Sequence, residues 1–185
     1  MKPSCYAAVP STFGTLGIVW VETSSETKVC RILLPSEGSV AEKARRTAHA
    51  VTTRPLNPMI EVLTQQIQDF LKGKAVDFPL DLIDLGQCYD FQRRVLLAEH
   101  KVPRGQVTTY GRIARRLGAP KAARAVGTAL ARNPFPIIIP CHRAIRSNGD
   151  LGGFGGGLEM KRALLEMEGV GFSPAGKVLA RGFYY

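Results

Sequence analysis

The chain of 185 residues is poor in cysteine and has no long apolar run. Its four cysteines, Cys5, Cys30, Cys88 and Cys141, are too few and too scattered for a disulfide scaffold, which predicts a reducing, intracellular setting. No apolar stretch approaches the roughly 20 residues that a transmembrane helix needs. The first residues lack a basic segment followed by an apolar core, so no secretory signal is expected. These absences predict a soluble cytoplasmic protein that does not enter a membrane.

Acidic residues are scarce in the second half of the chain. Residues 1–86 contain nine Lys or Arg and nine Asp or Glu, whereas residues 87–185 contain sixteen and six. The formal charge of +10 therefore belongs to the second half, which predicts a polyanion-binding domain joined to a neutral one. Its grouped basic residues, which favour a nucleic-acid face over a merely soluble surface, are Arg112, Arg115, Arg116, Lys121, Arg124, Arg132, Arg143 and Arg146.

Residues 1–86 predict a small mixed α/β domain. Three strands are expected over 5–9, 16–22 and 28–34, because these runs are rich in β-forming residues and are bounded by turn signals. The segment Ser39-Val40-Ala41-Glu42 is a capping box that predicts a helix to about residue 50.

A second helix is marked more clearly. Asn57 is a candidate N-cap, Pro58 fits the first helical position and Gly73 ends the helix. Its predicted buried stripe is Ile60, Leu63, Ile67, Phe70 and Leu71. A last strand is predicted around 80–85, followed by a linker at Gly86 and Gln87.

Residues 87–185 predict a mostly helical domain. A helix over 90–100 is followed by two short helices, one from Tyr110 to Leu117 and one opening at Pro120, with Gly118 between them. Two short helices around a tight turn form a helix-turn-helix pattern. A glycine-rich segment then precedes an amphipathic helix over 158–168. The fold class predicted for the whole chain is α+β, with a mixed N-terminal domain and a helical C-terminal one.

One cysteine stands in a setting that favours reactivity. Cys141 follows an apolar run and precedes His142 and Arg143. Two neighbours that are or can be cationic are expected to lower the thiol pKa and so to favour the nucleophilic thiolate. The competing interpretation is a small buried hydrophobic residue at the end of a strand, and the motif alone leaves both open.

From about residue 90 to residue 169 the sequence resembles the O6-alkylguanine-DNA alkyltransferases, also called methylated-DNA–protein-cysteine methyltransferases. The matching segments are Phe91-Gln92, Val107-Thr108-Thr109-Tyr110-Gly111, Ala122-Ala123-Arg124-Ala125-Val126-Gly127, Asn133-Pro134, Ile139-Pro140-Cys141-His142-Arg143, Gly156-Gly157-Leu158, Lys161 and Leu164-Leu165 with Glu168-Gly169. The resemblance implies a monomeric DNA repair protein that flips O6-alkylguanine out of duplex DNA and moves the alkyl group irreversibly to Cys141. It implies no cofactor, and it leaves O4-alkylthymine open as a second lesion.

The resemblance also implies the catalytic residues. Cys141, His142 and Glu168 would form a relay in which a water links the thiol to the imidazole and the carboxylate fixes the imidazole tautomer. Tyr110 would donate a proton toward N3 of the guanine as a general acid. Asn133 would tie the second helix of the pair to the active-site turn through backbone hydrogen bonds.

The substrate-binding residues follow from the same resemblance. Arg124 would fill the gap left by the extruded nucleotide, on a helix whose small residues Ala123, Ala125 and Gly127 allow a close approach to the minor groove. Arg143 is grouped with the DNA-binding residues.

The guanine pocket is expected to lie beside the glycine-rich segment. Phe154, Gly155 and Gly156 would form one wall, and the Ala144 carbonyl would face the exocyclic amine. Family members commonly have tyrosine where Phe154 stands, so any contact by that hydroxyl is lost here.

Three other functions and a metal site are alternatives to this interpretation. A non-catalytic lesion-binding module would lack the nucleophile, a helix-turn-helix regulator would not need the Cys–His…Glu set, and a thiol hydrolase would turn over. Some family members bind zinc in the N-terminal domain. Here Cys5, Cys30, His49, His100 and His142 show no metal-ligand spacing, so no metal is expected.

Overall fold

A computed structural model describes residues 4–35, 38–48, 51–52, 57–180 and 182–185. The chain divides into two compact units, Met1–Gln87 and Cys88–Tyr185, both built from helices and small sheets. The division falls beside the predicted linker at Gly86 and Gln87. Within the described residues, no helix combines the length and apolar character needed to cross a membrane.

The first unit is organised around a four-stranded sheet. Its strands are β1 (Ser4–Ser11), β2 (Gly14–Glu22), β3 (Thr27–Leu33) and β4 (Val51–Thr52), in the order β3-β2-β1-β4. Neighbouring strands are antiparallel except for β4, which runs parallel to β1. Residues 16–20 of the central strand β2 are all buried, and one face of the sheet packs on α1 (Val40–Ala48) through Val19 and Ala44.

The two helices of the first unit begin as their sequences predicted. The Ser39 and Glu42 side chains each accept a hydrogen bond from the other's backbone N–H, which confirms the capping box. In α2 (Pro58–Leu71) the Asn57 side chain accepts from Ile60 N at 3.0 Å, and the buried residues are those of the predicted stripe. Residue 50, where α1 was expected to end, lies outside the described residues.

The predicted strand over 80–85 is wrong. Leu80–Leu82 and Leu85–Gln87 are short 3-10 turns, and Ile83 makes only an isolated bridge to Val29. The Asp84 carboxylate accepts from Gly86 N at 3.0 Å. This local bond belongs to the second turn, so the segment pairs with Val29 of β3 at Ile83 and through the Asp84 N–H and does not continue as a strand.

The second unit contains the helices α3 (Asp90–His100), α4 (Tyr110–Arg116), α5 (Ala123–Ala131) and α6 (Gly157–Met167). Two small sheets accompany them, β5 (Thr108–Thr109) with β6 (Ala144–Ile145) and β7 (Gly171–Phe172) with β8 (Val178–Leu179). One core cluster consists of Val107, Ile145, Leu165, Val170 and Val178.

The helices α4 and α5 pack against each other and against α3. Thr109 caps α4 by accepting from Arg112 N at 3.2 Å, and Gly118 has φ +74° in the turn that follows. The helix α5 begins at Ala123 and not at Pro120, because Ala122 N first donates to the Ala119 carbonyl and closes a turn there.

Candidate functional site

A pocket of about 420 Å³ opens beside α5, and Cys141 lies in its wall. The thiol residue is partly exposed and begins the 3-10 turn Cys141–Arg143. The lining consists of Tyr110, Gly127, Leu130, Ala131, Cys141, Arg146, Gly152, Gly153, Phe154 and Gly155. The structure therefore brings together residues from α4, α5, the cysteine turn and the glycine-rich segment.

The apolar run before Cys141 is a series of turns and not a strand. Ile137 is buried with φ +76°, a left-handed conformation that costs a β-branched residue roughly 1–3 kcal/mol. Asn133 holds this turn from both sides, because its Nδ2 donates to the Ile139 carbonyl at 3.1 Å and its Oδ1 accepts from Phe135 N at 2.9 Å. Asn133 directly follows α5, so these two bonds connect that helix to the cysteine turn.

His142, Arg143 and Glu168 form a buried cluster behind the thiol. His142 Nε2 lies 2.9 Å from Glu168 Oε1, and both side chains are inaccessible to solvent. Arg143 donates to both carboxylate oxygens, from Nε at 2.9 Å and from an Nη at 2.8 Å. Gly105 N adds a fourth bond at 3.3 Å, so the Glu168 carboxylate is fully engaged.

These contacts fix the protonation states of the cluster. Burial alone would raise the pKa of Glu168, but hydrogen bonds from His142 and Arg143, and the positive charges that both groups carry in acid, outweigh it and lower that pKa to about 2. Burial lowers the pKa of His142, although Glu168 opposes the shift. At neutral pH an ionised Glu168 therefore accepts the Nε2 proton of a neutral imidazole, which leaves Nδ1 as the basic nitrogen.

The predicted lowering of the thiol pKa is wrong. Burial raises the pKa of Cys141 to about 11, and a hydrogen bond from Asn133 and the charge of Lys161 offset this only in part. The two neighbours do not lower it because the Arg143 guanidinium is bonded to Glu168 and the His142 imidazole is neutral. Cys141 is therefore a thiol at rest, and a base must act when it reacts.

Arg143 was also grouped with the DNA-binding residues, and the structure contradicts this. Its side chain is only 11% exposed, and its remaining Nη donates to the Val102 carbonyl at 2.6 Å. A guanidinium with three internal acceptors cannot leave them without exposing the buried Glu168 charge. Arg143 orients the carboxylate instead of facing a ligand.

Tyr110 and the glycine-rich segment are fitted closely together. Gly152 has φ +70°, and a Cβ built on it would lie 2.5 Å from the Tyr110 hydroxyl oxygen. The buried Lys161 Nζ holds this segment by donating to the carbonyls of Ala144 at 2.6 Å, Leu151 at 2.5 Å and Gly153 at 3.3 Å. Two of these carbonyls belong to the residues on either side of Gly152. Lys161 therefore holds in place the backbone that the Tyr110 hydroxyl contacts.

Of the remaining residues predicted for the guanine pocket, some line the pocket and others do not. Phe154 lines the pocket and stands edge-on to the His142 ring, with 6.4 Å between centroids. Gly155 is exposed at the pocket wall, whereas Gly156 precedes α6 and does not line the pocket. Ala144 is fully buried with its carbonyl bonded to Lys161. A contact from Ala144 to a substrate uses the second carbonyl lone pair and stays a prediction.

The outer face of α5 carries the predicted groove-facing residues. Arg124 and Ala125 are exposed, Ala123 is half-buried, and Gly127 reaches the pocket. Among the grouped basic residues, Arg115, Lys121, Arg132 and Arg146 are also exposed. Arg116 is exposed and Arg112 half-buried, and their guanidinium groups stack on aromatic rings, Arg112 at 5.0 Å from the Phe183 ring and Arg116 at 5.5 Å from the Tyr185 ring.

Sequence reasoning missed three charged residues near the thiol. Lys161 could have been found, since it is three and four residues before the buried Leu164 and Leu165 and therefore falls on the apolar stripe of α6. Glu99 is fully buried in α3, and neither carboxylate oxygen has a hydrogen-bond partner within the described part of the chain. Arg146 was counted only as part of the basic face, but it lines the pocket.

The described residues contain no group of three or more His, Cys, Asp and Glu that could hold a metal ion. His49, one of the histidines considered for a zinc site, lies outside the described residues. All four cysteines are free thiols.

Comparisons with known proteins give the family. A family model described as 6-O-methylguanine DNA methyltransferase, DNA binding domain, matches residues 90–170. The methylated-DNA–protein-cysteine methyltransferase of Methanothermobacter thermautotrophicus is 50% identical over 111 residues, which are 60% of this chain and 62% of that protein. The Mycobacterium leprae protein of that name is 44% identical over 114 residues, covering 62% of this chain and 68% of its own length. The match thus spans less than two thirds of the first relative.

Solved structures extend the similarity over most of the chain. The Mycobacterium tuberculosis protein OGT, crystallised in complex with DNA, is 34% identical with a TM-score of 0.71, covering 89% of this chain and 92% of that one. The O6-methylguanine methyltransferase structure from the same organism gives 34% identity and a TM-score of 0.72 over the same shares. With the match to the family model and the partly exposed Cys141 followed by the buried His142–Glu168 pair, these similarities show that the chain belongs to the methylated-DNA–protein-cysteine methyltransferase family.

Proposed function

We propose that this protein repairs O6-alkylguanine in duplex DNA by transferring the alkyl group to the sulfur of Cys141. The observation that carries the proposal is the thiol in the wall of a pocket of about 420 Å³, in front of the buried His142–Glu168 pair. A pocket of this volume accepts a purine base. The names of the relatives supply the substrate class.

The base must leave the duplex to reach this pocket. Chemistry on a stacked base atom requires extrusion of the nucleotide, because the duplex hides the reacting atom. In this proposal α4 and α5 act as a helix-turn-helix that lies on DNA, with the small residues of α5 at the groove. The exposed Arg124 then occupies the gap that the extruded nucleotide leaves.

The chemistry needs a proton to leave the thiol and a proton to reach the guanine. Neutral His142, held by ionised Glu168, takes the Cys141 proton through a bridging water, and the resulting charge is stabilised by the carboxylate. The sulfur–carbon bond forms as the carbon–O6 bond breaks, and the electron pair of that bond stays on guanine. Tyr110 donates a proton to N3, which makes the guanine a better leaving group.

The product defines how the protein works as a whole. A thioether is not readily hydrolysed, so each molecule acts once, and the alkylated base is itself the donor, so no cofactor takes part. Duplex DNA is the partner, and a monomer suffices because all the proposed catalytic residues come from a single chain.

The decisive experiment is mass spectrometry of the protein after incubation with excess duplex that contains O6-methylguanine. We expect one methyl group on the peptide that contains Cys141, and product that stops at about one methyl per protein. Cys141→Ser should bind the duplex nearly as well, because phosphate contacts supply most of the affinity, but should accept no methyl group. Binding without methylation of the wild-type protein would identify a lesion-binding module instead, and linear turnover would identify a different enzyme.

A further inference from the structure

The pairing of β5 with β6 places a cation beside the proposed proton donor. Thr109 pairs with Ile145 in a parallel register, so the residues that follow, Tyr110 and Arg146, leave the sheet side by side. The backbone of Arg146 is fixed by its N–H, which donates to the Asp150 carbonyl at 2.8 Å. Both Tyr110 and Arg146 line the pocket that holds Cys141.

The guanidinium of Arg146 is not bonded to any acidic side chain among the described residues. Within the described residues, its guanidinium makes no hydrogen bond or ion pair, and its side chain is exposed. Asp150, the nearest acidic residue in sequence, has its carboxylate oxygens bonded to Lys177 Nζ at 3.1 Å and Asn148 Nδ2 at 2.7 Å. These bonds, followed by the charges of Lys177 and Arg146, lower the pKa of Asp150, so Arg146 acts on this carboxylate only through space. Arg146 is also the one charged side chain among the described residues that line this pocket.

Arg146 also lines a second, adjoining depression together with Gly152, Gly153 and Phe154. A residue shared by the pocket and by the surface next to it stands at the mouth and not at the floor. An extruded nucleotide inserts its base into the pocket and keeps its phosphates at this mouth. A free guanidinium there matches a phosphate, which it can bind with two parallel hydrogen bonds.

We propose that Arg146 binds a backbone phosphate next to the extruded nucleotide and thereby holds the base in the pocket, a role that rests on the proposed DNA repair function. The same cation lies close enough to Tyr110 to oppose the burial that raises the pKa of its hydroxyl. The competing ligand for a guanidinium is the N7 edge of guanine itself.

The test is a double-mutant cycle of binding affinities that combines an arginine substitution with a change in the DNA. All variants carry Cys141→Ser, so that no alkyl transfer occurs. Duplexes with O6-methylguanine carry either natural phosphates or one uncharged methylphosphonate, placed 3′ or 5′ to the lesion. Removing one charge-assisted contact should weaken binding about tenfold, either through Arg146→Ala or through one of the two methylphosphonates. Combining both changes should cost no more than either alone. Arg146→Ala should also reduce the salt slope by about one.

Two controls separate the phosphate contact from other effects. Arg93→Ala removes an exposed arginine of the same unit, paired only with Asp90 at the surface, and should change binding little. Arg146→Lys keeps the charge without the planar fork and should recover part of the affinity.

Several results would overturn the proposal. Additive losses from Arg146→Ala and each methylphosphonate would show that the arginine contacts neither phosphate. In protein that retains Cys141, equal slowing of the reaction with duplex and with free O6-benzylguanine would assign Arg146 to the base edge. The binding cycle needs no alkyl transfer, so a failure of the proposed repair chemistry leaves its result interpretable.

Discussion

His142 Nε2 and Glu168 Oε1 lie 2.9 Å apart although 26 residues separate them in the sequence, and neither side chain is accessible to solvent. The bond joins the turn that follows Cys141 to the end of α6. It also selects the imidazole tautomer, because an ionised carboxylate can only accept. In the proposed function this pair is the base for Cys141, whose thiol burial keeps protonated.

Glu168→Gln should lower both reactivity and stability. The amide cannot neutralise Arg143 or fix the tautomer of His142, so we expect much slower methylation of Cys141 and a loss of roughly 3–5 kcal/mol in the free energy of unfolding at pH 7. Urea denaturation and single-turnover methylation measure the two effects. The exposed Glu166→Gln, which breaks only a surface pair with Arg162, is the matched control.

The difference in unfolding free energy between wild type and Glu168→Gln should decrease as the pH falls. The folded pKa of about 2 lies below the unfolded value near 4.5, so the stabilisation is present above pH 4.5 and is lost as the pH falls through 2. The gap between the two proteins should therefore narrow by roughly 3 kcal/mol over this window. A gap that stays constant from pH 7 to pH 2 would contradict the ionised, bonded carboxylate.

Glu99→Gln should stabilise the protein increasingly as pH rises. Burial raises the folded pKa of Glu99 to about 8, and the charges of Lys161 and Arg143 offset this only partly. Below pH 4.5 both folded and unfolded states are protonated, so the group costs nothing there. Between pH 4.5 and 8 folding takes up a proton, which costs roughly 1.4 kcal/mol per unit of pH.

The difference in unfolding free energy between Glu99→Gln and wild type should therefore grow by roughly 3 kcal/mol from pH 4.5 to pH 7. Denaturant titrations across this range measure it. Glu159→Gln removes an exposed carboxylate from α6 and should show no such slope. If the unfolding free energies of wild type and Glu99→Gln change equally with pH, Glu99 is ionised in the folded protein.

Arg124→Ala should slow repair of duplex DNA and spare the reaction with a free base. If Arg124 fills the gap left by the flipped nucleotide, its loss disfavours the extruded state by a few kcal/mol, the scale of unstacking. Free O6-benzylguanine needs no extrusion, so its reaction with Cys141 should be nearly unchanged. Rates are compared at saturating DNA. Equal slowing on both substrates would assign Arg124 to the fold or to the thiol.

Gly152→Ala should disturb Tyr110 directly. The new Cβ meets the tyrosine hydroxyl at 2.5 Å and stands at φ +70°, so we expect a lower melting temperature and slower methylation of Cys141. Adding Tyr110→Phe removes the clashing oxygen and should recover part of the stability without recovering activity. A double variant no more stable than Gly152→Ala alone would show that backbone strain, and not the hydroxyl contact, is responsible.

Local sequence signals predicted the elements whose structure depends on neighbouring residues. The Asn57 cap, the Ser39–Glu42 capping box and the stripe of α2 all appear as expected, because capping and helical periodicity act over a few residues. The strand predicted over 80–85 is wrong because 3-10 turns lie on both sides of Ile83. Pairing with β3 is confined to the Ile83 bridge and the Asp84 N–H, which donates to the Val29 carbonyl at 2.9 Å.

By itself the sequence indicated Cys141 as the candidate nucleophile and showed that the second unit is basic. It also singled out His142 and Glu168 as the residues that belong with Cys141. The tertiary structure alone decided the charge states. Desolvation depends on everything packed around a group, so it reversed the expected shift of the Cys141 pKa and left Glu99 buried without a partner among the described residues. It likewise turned Arg143 inward to Glu168 and left Arg146 exposed in the lining of the pocket, although the sequence had grouped both arginines with the basic face.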